Sequence, residues 1–235
     1  MSKRTGATAV TEFRTMGYLP EGMVNYLALL GWAPRANLEI VTPEELPKLF
    51  ELERVKKTAA AFNIEKLEWV NGQHMKRATP ERLWALLEPR LAAAGVAVEQ
   101  HERRWWIALV TLLRGRMKTL ADFETLADFF WQDPPVYRDD AVAEHLRRDG
   151  VGQDLLRLRE RLAGVSPFDS ASTEAATRAL VAELGKSSGD VMHPARVALT
   201  GRTVSPPLFA MMEQLGKERT LERLERAAKL CGAAA

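Results

Sequence analysis

The sequence is poor in the residues that build metal sites and disulfides. Its 235 residues include one cysteine, Cys231, and four histidines that stand far apart in the chain. A single thiol excludes an internal disulfide framework and cysteine-based zinc fingers, and the histidines show neither His-x-x-x-His nor Glu-x-x-His spacing. No glycine-rich phosphate-binding loop occurs either. The residues alone therefore predict no metal site and no catalytic centre.

Long hydrophobic runs and an excess of one charge are also missing. No stretch of about 18 apolar residues occurs, and the first six residues lack the apolar core of a signal peptide, so we expect neither a membrane span nor export. With 33 basic and 31 acidic residues the net charge is +2, too small for a protein that holds nucleic acid by bulk charge. Any nucleic-acid binding has to come from local basic patches.

Helix signals dominate what is present. Thr42-Pro43 and Thr79-Pro80 each combine an N-cap threonine with a proline suited to the first helical turn, and Gly185 is placed as a C-cap. Alternating strand patterns are few, and residues 95–98 are interpreted as a helix connector, so the predicted fold is all-α. Apolar residues recur at helical spacing in six segments: Leu46, Leu49 and Phe50; Leu83, Leu86 and Leu87; Trp105, Trp106, Leu109, Leu112 and Leu113; Leu155, Leu158 and Leu162; Ala176, Leu180 and Leu184; Leu221, Leu224 and Ala228.

Residues 17–32 predict a further helix, which begins at Pro20 and turns Leu27, Leu30 and Trp32 largely into the core. The aromatic residues indicate a division later in the chain, because all six tryptophans lie before residue 138. The proline pair at 134–135 is the expected junction, since residues that precede proline leave the helical region.

Two stretches are basic and contain no Asp or Glu. The first, residues 103–121, contains Arg103, Arg104, Arg114, Arg116 and Lys118. On a continuous helix Arg103, Arg114 and Lys118 would lie within about 60° of one another, whereas the glycine before Arg116 should loosen the helix there. Charge alone leaves two interpretations open, a solvated helix face or a contact to phosphate or base, for which the planar guanidinium is suited.

The second acid-free stretch runs from residue 191 to residue 212. It carries His193, Arg196, Thr200 and Arg202 among prolines. On its own this pattern is typical of a polar loop between helices.

Several motifs resemble, in order, the C-terminal portion of bacterial glutamyl-tRNA synthetases. Met-Ser-Lys-Arg at residues 1–4 is similar to the later positions of the Lys-Met-Ser-Lys-Ser signature loop of class I synthetases. The most specific match is Gly-Tyr-Leu-Pro-Glu at 17–21 followed by Asn-Tyr-Leu-Ala-Leu-Leu-Gly-Trp at 25–32. Further matches follow in the expected order: Phe-Glu-Leu-Glu-Arg-Val at 50–55, Lys-Leu-Glu-Trp-Val-Asn-Gly at 66–72, His-Pro-Ala-Arg-Val-Ala-Leu-Thr-Gly at 193–201 and Leu-Gly-Lys-Glu-Arg at 215–219.

The resemblance implies a signature-loop remnant with a stem-contact region over residues 1–78. A two-part helical anticodon-binding domain follows, with subdomains at 79–143 and 144–235. In the family, the loop's second lysine stabilises charge on ATP phosphates, and Lys3 holds that position with Ser2 beside it. The family's His-Ile-Gly-His-type motif and nucleotide-binding domain do not occur in this sequence. We therefore expect no cofactor in this chain, and ATP with Mg²⁺ in the parent enzyme.

The resemblance also assigns the anticodon contacts. Arg116 occupies the place where discriminating members carry an arginine that reads the third anticodon nucleotide, and Arg103, Arg114 and Lys118 share its basic stretch. Arg196 and Thr200 resemble positions close to the other anticodon bases. The implied partner is glutamate tRNA, with ATP and glutamate as ligands of the parent enzyme.

Three functional hypotheses differ in class. The first is the tRNA-binding portion of a glutamate–tRNA ligase, shortened by design, by an error of gene prediction or naturally. The second is a free-standing, synthetase-derived RNA-binding module without catalysis. The third is a helical interaction protein with no role in RNA binding. The first is favoured, with a cytoplasmic location and a monomeric state as expectations.

The first prediction concerns catalysis by this chain alone. Because the ATP-binding motif is not in the sequence, ATP–pyrophosphate exchange with glutamate should stay at background, with or without tRNA. The control is the same preparation after heat inactivation, and exchange above that control would contradict the prediction.

Overall fold

The computed structural model describes residues 9–35, 38–55 and 61–232, and over these ranges the chain is helical. It forms two compact units, Met1–Thr125 and Leu126–Ala235, and the boundary in the sequence falls within the helix α7, Ala121–Ala127. No β-sheet occurs in the described ranges, where an isolated antiparallel bridge joins Trp32 to Val55. The all-α prediction is therefore confirmed. Within the same ranges no helix is long and apolar enough to cross a membrane.

Side-chain caps and prolines set the helix starts of the first unit. The Thr79 hydroxyl accepts the Arg82 N–H at 3.3 Å, as its sequence predicts, and Asn63 caps the next helix upstream by accepting from Lys66. The helices are α1 Val10–Thr15, α2 Pro20–Gly31, α3 Leu46–Leu49, α4 Ile64–Arg77, α5 Pro80–Ala93 and α6 Arg103–Leu113. Short 3-10 turns lie at Leu52–Arg54, Val98–Gln100 and Arg114–Arg116.

The core of the first unit lies between α2 and α4. Its buried cluster consists of Phe13, Tyr18, Met23, Tyr26, Leu67 and Val70. Asn71 of α4 is fully buried there, and its Oδ1 accepts the Leu19 N–H at 2.9 Å at the start of α2. A Cβ on Gly22 would overlap the Asn71 side chain, so the glycine permits the close approach of the two helices.

In the second unit, apolar stripes of helices that are mostly not adjacent in the sequence pack on one another. The helices are α8 Asp139–His145, α9 Val151–Ala163, α10 Ser170–Leu184, α11 Ser188–Thr200, α12 Leu208–Leu215 and α13 Lys217–Gly232. Leu155, Leu158 and Leu162 are buried on α9, which packs against α13. Gly185 ends α10 at φ +61° in the left-handed region, which confirms it as a C-cap.

Three sequence expectations are corrected. The helix predicted from Pro20 is present and Trp32 is buried, but Leu27 is 42% exposed and Leu30 is only partly buried. The reciprocal bonds of a capping box form between Thr42 and Glu45, but they close a turn, and the helix α3 that follows Glu45 has only four residues. Leu49 of α3 and Phe50 after it are exposed.

The third correction concerns the first basic stretch. α6 ends at Leu113 and passes into the 3-10 turn Arg114–Arg116, so Arg114 and Lys118 do not continue the face on which Arg103 lies. The loosening expected next to Gly115 is what ends the helix.

Leu67 and Leu27 provide a matched pair for testing the core. Leu67→Ala should lower the free energy of unfolding by about 2–5 kcal/mol, because the side chain is fully buried in the α2–α4 cluster. Leu27→Ala should cost about 1 kcal/mol or less. Urea unfolding followed by tryptophan fluorescence measures both values, and equal losses would contradict this core assignment.

Candidate nucleic-acid interface

The 3-10 turn Arg114–Arg116 is held from several sides. The Arg114 guanidinium donates from Nη1 to the carbonyl of Ala78, the C-cap residue directly after α4, at 2.8 Å. Asn71 donates from Nδ2 to the Lys118 carbonyl at 2.5 Å, so the amide that binds the start of α2 also fixes the chain after the turn. Asp122 accepts the N–H groups of Lys118 and Thr119 at 2.7 and 2.9 Å. The backbone that carries Arg116 is therefore fixed.

A groove of about 380 Å³ lies between this turn and α4. Arg116 is exposed at one side, and Trp69, Gln73 and Lys76 of α4 form part of the other. Trp69 is 41% exposed, and the Lys66 Nζ lies 4.2 Å from its ring centroid, a cation–π contact. An exposed indole, an amide and several cations in one groove can stack on a base, hydrogen-bond to its edge and neutralise phosphate.

The sequence analysis does not predict Trp69, Gln73 and Lys76 of α4 as site residues. Their spacing of three and four residues, at 69, 73 and 76, is the available signal, because it places them on one helix face. It becomes informative only with the fold, which brings that face next to Arg116, forty or more residues away in the sequence.

Lys118 also lines the groove, but its charge is paired. Its Nζ lies 2.8 Å from Glu68 Oε2, and this hydrogen bond raises the pKa of the lysine. Arg103 lies in a different place, in the first turn of α6, where it is exposed and lines a smaller groove beside Trp84 and Trp106. Of the predicted site residues in the first unit, the structure thus brings Arg114, Arg116 and Lys118 together, and leaves Arg103 at the far end of α6.

The two predicted residues of the second unit are engaged within the protein. Thr200 is 1% exposed; its hydroxyl lies 2.8 Å from the Arg196 carbonyl and accepts the Arg202 N–H at 3.2 Å. Arg196 donates from Nη1 to the Ser205 hydroxyl and, at 2.8 Å, to the Pro206 carbonyl. Both side chains therefore fix residues 201–207, the loop between α11 and α12.

A pattern that resembles a catalytic motif has a structural role here. Residues 185–189 read Gly-x-Ser-x-Gly, but they connect two helices, and Ser187 acts as the N-cap of α11 by accepting the Asp190 N–H at 3.2 Å. Hydrogen bonds from Ser187 and Arg148 lower the pKa of Asp190 to about 2. The described residues contain no group of three or more His, Cys, Asp or Glu that could hold a metal ion. Ser2 and Lys3 lie outside the described residues.

Comparison with known proteins gives two family matches. The family model described as "Anticodon binding domain" matches residues 82–228. The model described as "tRNA synthetases class I (E and Q), catalytic domain" matches residues 1–69. The groove draws its arginine from the first matched range and its tryptophan from the end of the second.

Relatives and solved structures agree with these matches. The glutamate–tRNA ligase of Moorella thermoacetica is 40% identical over 232 residues, which are 97% of this chain and 47% of that protein. Glutamate–tRNA ligase 1 of Caldanaerobacter subterraneus subsp. tengcongensis is 40% identical over 229 residues, 97% and 48% of the two. The crystal structure of a glutamate tRNA ligase from Elizabethkingia meningosepticum superposes with a TM-score of 0.85 at 28% identity, covering 97% of this chain and 44% of that one.

The helical fold and the match over residues 82–228 define an anticodon-binding domain. The chain belongs to this anticodon-binding family, as its resemblance predicts, and the relatives that it matches are glutamate–tRNA ligases. It spans about half the length of the curated relatives that it matches.

Thr200 allows a test of its structural role. Thr200→Val leaves the Arg202 N–H without its acceptor in a buried place, so we expect the free energy of unfolding to fall by about 1–3 kcal/mol. Thr200→Ser keeps the hydroxyl and should lose only about 0.8 kcal/mol of methyl burial. Urea unfolding followed by far-UV circular dichroism compares the two, and equal stability of both variants would show that the hydroxyl does no structural work.

Proposed function

We propose that the chain is the tRNA-binding portion of a glutamate–tRNA ligase and that the groove between α4 and the turn Arg114–Arg116 contacts the tRNA. The observation that carries the proposal is the position of Arg116: it is exposed, its backbone is fixed, and it faces an exposed tryptophan across a groove large enough for a base. Single-stranded RNA is recognised by stacking and by hydrogen bonds to base edges, and this groove offers groups for both.

The groove residues divide the work by their chemistry. Arg116 has the planar fork that binds a base edge or a phosphate in two places, and is proposed to contact the third anticodon nucleotide. Trp69 is suited to stacking and Gln73 to an edge contact. Lys76 is an exposed cation for the phosphate backbone, whereas Lys118 contributes less because Glu68 neutralises it.

The other predicted residues receive supporting roles in this proposal. Arg114 fixes the turn through the Ala78 carbonyl, and Arg103 offers a further exposed cation at the start of α6. Arg196 and Thr200 shape the loop at 201–207, which contacts the other anticodon bases through its backbone and neighbouring side chains.

The activity of the whole enzyme is part of the same proposal. The parent ligase uses ATP, with Mg²⁺, to attach glutamate to its tRNA, and Ser2 and Lys3 belong to its ATP-binding loop. We also propose a cytoplasmic, monomeric protein and keep the functional regions at 1–78, 79–143 and 144–235. A free-standing RNA-binding module without catalysis would use the same groove, and an in-frame His-Ile-Gly-His-type motif upstream in the gene distinguishes the two.

Arg116→Ala tests the proposal. If Arg116 hydrogen-bonds to a base edge, its loss should weaken binding to glutamate tRNA by about 1–3 kcal/mol and narrow the preference between tRNAs that differ at the third anticodon position. If it contacts phosphate, the loss should be uniform across tRNAs and the slope of log affinity against log salt should fall by about one. Gel-shift titrations at several salt concentrations separate these results.

Arg178→Ala is the matched control. Arg178 is an exposed arginine of α10 that pairs with Glu174 one turn earlier. Its replacement by alanine removes one positive charge, as Arg116→Ala does, but outside the groove. If the Arg116→Ala variant binds every tRNA with the same affinity as the Arg178→Ala variant, Arg116 does not contact the tRNA. A wild-type chain whose tRNA affinity does not respond to salt would contradict the proposed function itself.

A further inference from the structure

Arg223, in the middle of α13, is the one arginine of the described residues that is 0% exposed. A buried charge is costly unless hydrogen bonds and countercharge compensate it. Its Nη1 donates to the Leu199 carbonyl at 2.6 Å and its Nη2 to the Gln132 carbonyl at 2.8 Å, while Nε lies 3.5 Å from Asp133 Oδ1. Burial lowers the pKa of the guanidinium to about 10, so the group stays charged at neutral pH.

The two carbonyls belong to different parts of the second unit. Leu199 lies in the last turn of α11, where carbonyls lack helical partners and the helix dipole favours a cation. Gln132 and Asp133 begin the segment 132–138 that leads into α8. One guanidinium therefore binds the end of α11 to this segment.

Further bonds close the same junction. The Tyr137 hydroxyl donates to the Ala198 carbonyl at 2.9 Å, and the Arg138 N–H donates to the Gly201 carbonyl at 2.9 Å. Gly201 has φ +73°, and a Cβ there would overlap the Val136 carbonyl oxygen. The direction in which the chain leaves α11 is thus set by segment 132–138.

Two other arginines of α13 also bind residues just before or within segment 132–138. Arg219 donates to the Phe130 carbonyl at 2.5 Å, and Arg226 pairs with Asp133 at 3.0 Å. Positions 219, 223 and 226 lie on one helix face, so α13 presents a row of donors to residues 130–133. Of these three arginines only Arg223 also binds α11, through the Leu199 carbonyl two residues before the loop at 201–207 begins.

We propose that Arg223 is a positioning residue for tRNA recognition: it holds the loop at 201–207 in one conformation by bonding the end of α11 to segment 132–138, without touching RNA itself. The inference rests on the proposed function, because it assumes that this loop contacts the anticodon. A lysine cannot replace it, since a single ammonium does not reach two divergent carbonyls in the fixed geometry of a guanidinium.

The first measurement uses the free protein. Hydrogen exchange followed by mass spectrometry should show peptides covering residues 197–207 exchanging about tenfold faster in Arg223→Lys than in the wild-type chain. Arg226→Gln is the control, because Arg226 shares Asp133 but does not bind α11, and its exchange in these peptides should stay within about twofold of wild type. Far-UV circular dichroism at the same temperature establishes that each variant is folded.

The second measurement uses tRNA. Discrimination between glutamate tRNA and a tRNA with an altered anticodon, taken as the ratio of Kd values, should fall at least fivefold in Arg223→Lys and stay unchanged in Arg226→Gln. Tyr137→Phe removes another bond of the junction and should move exchange and discrimination in the same direction by a smaller factor. If Arg223→Lys does not fold, the same two measurements on Tyr137→Phe test the inference.

The outcomes distinguish failure of the inference about Arg223 from failure of the proposed function. A folded Arg223→Lys variant with wild-type exchange at 197–207 overturns the inference, as does faster exchange with unchanged discrimination, which would make the residue purely structural. Failure of the proposed function appears instead in the wild-type chain, as tRNA binding without anticodon discrimination or without salt dependence. Faster exchange joined to lost discrimination supports both.

Discussion

The carbonyl groups left without partners where helices end are the constraint on which both units depend. The described helices are four to sixteen residues long, so helix ends are frequent and each leaves carbonyls to satisfy. Long cationic side chains from elsewhere in the same unit supply many of these donors. The pairs, each with its donor first, are Arg90 to Thr15, Arg114 to Ala78 and Arg223 to Leu199. Lys217 binds the carbonyl of Val165, just beyond the end of α9.

This constraint divides the basic residues into two kinds. Arg114, Arg196 and Arg223 bind backbone carbonyls and hold turns and loops in place, whereas Arg116 and Lys76 remain on the surface of the groove. A count of arginines is therefore no measure of RNA affinity in this protein. Arg116 projects from a turn that Arg114 helps to fix through the Ala78 carbonyl.

Local signals predicted much of the fold and little of the groove. Thr79, Pro20 and Gly185 set helix ends through interactions with residues a few positions away, so the sequence shows them directly. The exposure of Leu27 depends on where α4 packs, and the pairing of Lys118 with Glu68 joins residues fifty positions apart. Arg114 and Arg116 look equivalent in the sequence, although one is an internal tether and the other faces the groove.

Tethers to backbone carbonyls have a consequence for how such contacts evolve. Every residue type supplies the same carbonyl, so the positions of Ala78, Gln132 and Leu199 are free to change their side chains without losing the bond from the arginine opposite. Only the arginine position therefore has to keep its residue type for the bond to form. Paired substitutions, the usual statistical trace of residues in contact, are therefore not generated at these junctions, even though the junctions hold helix ends and loops in place within each unit.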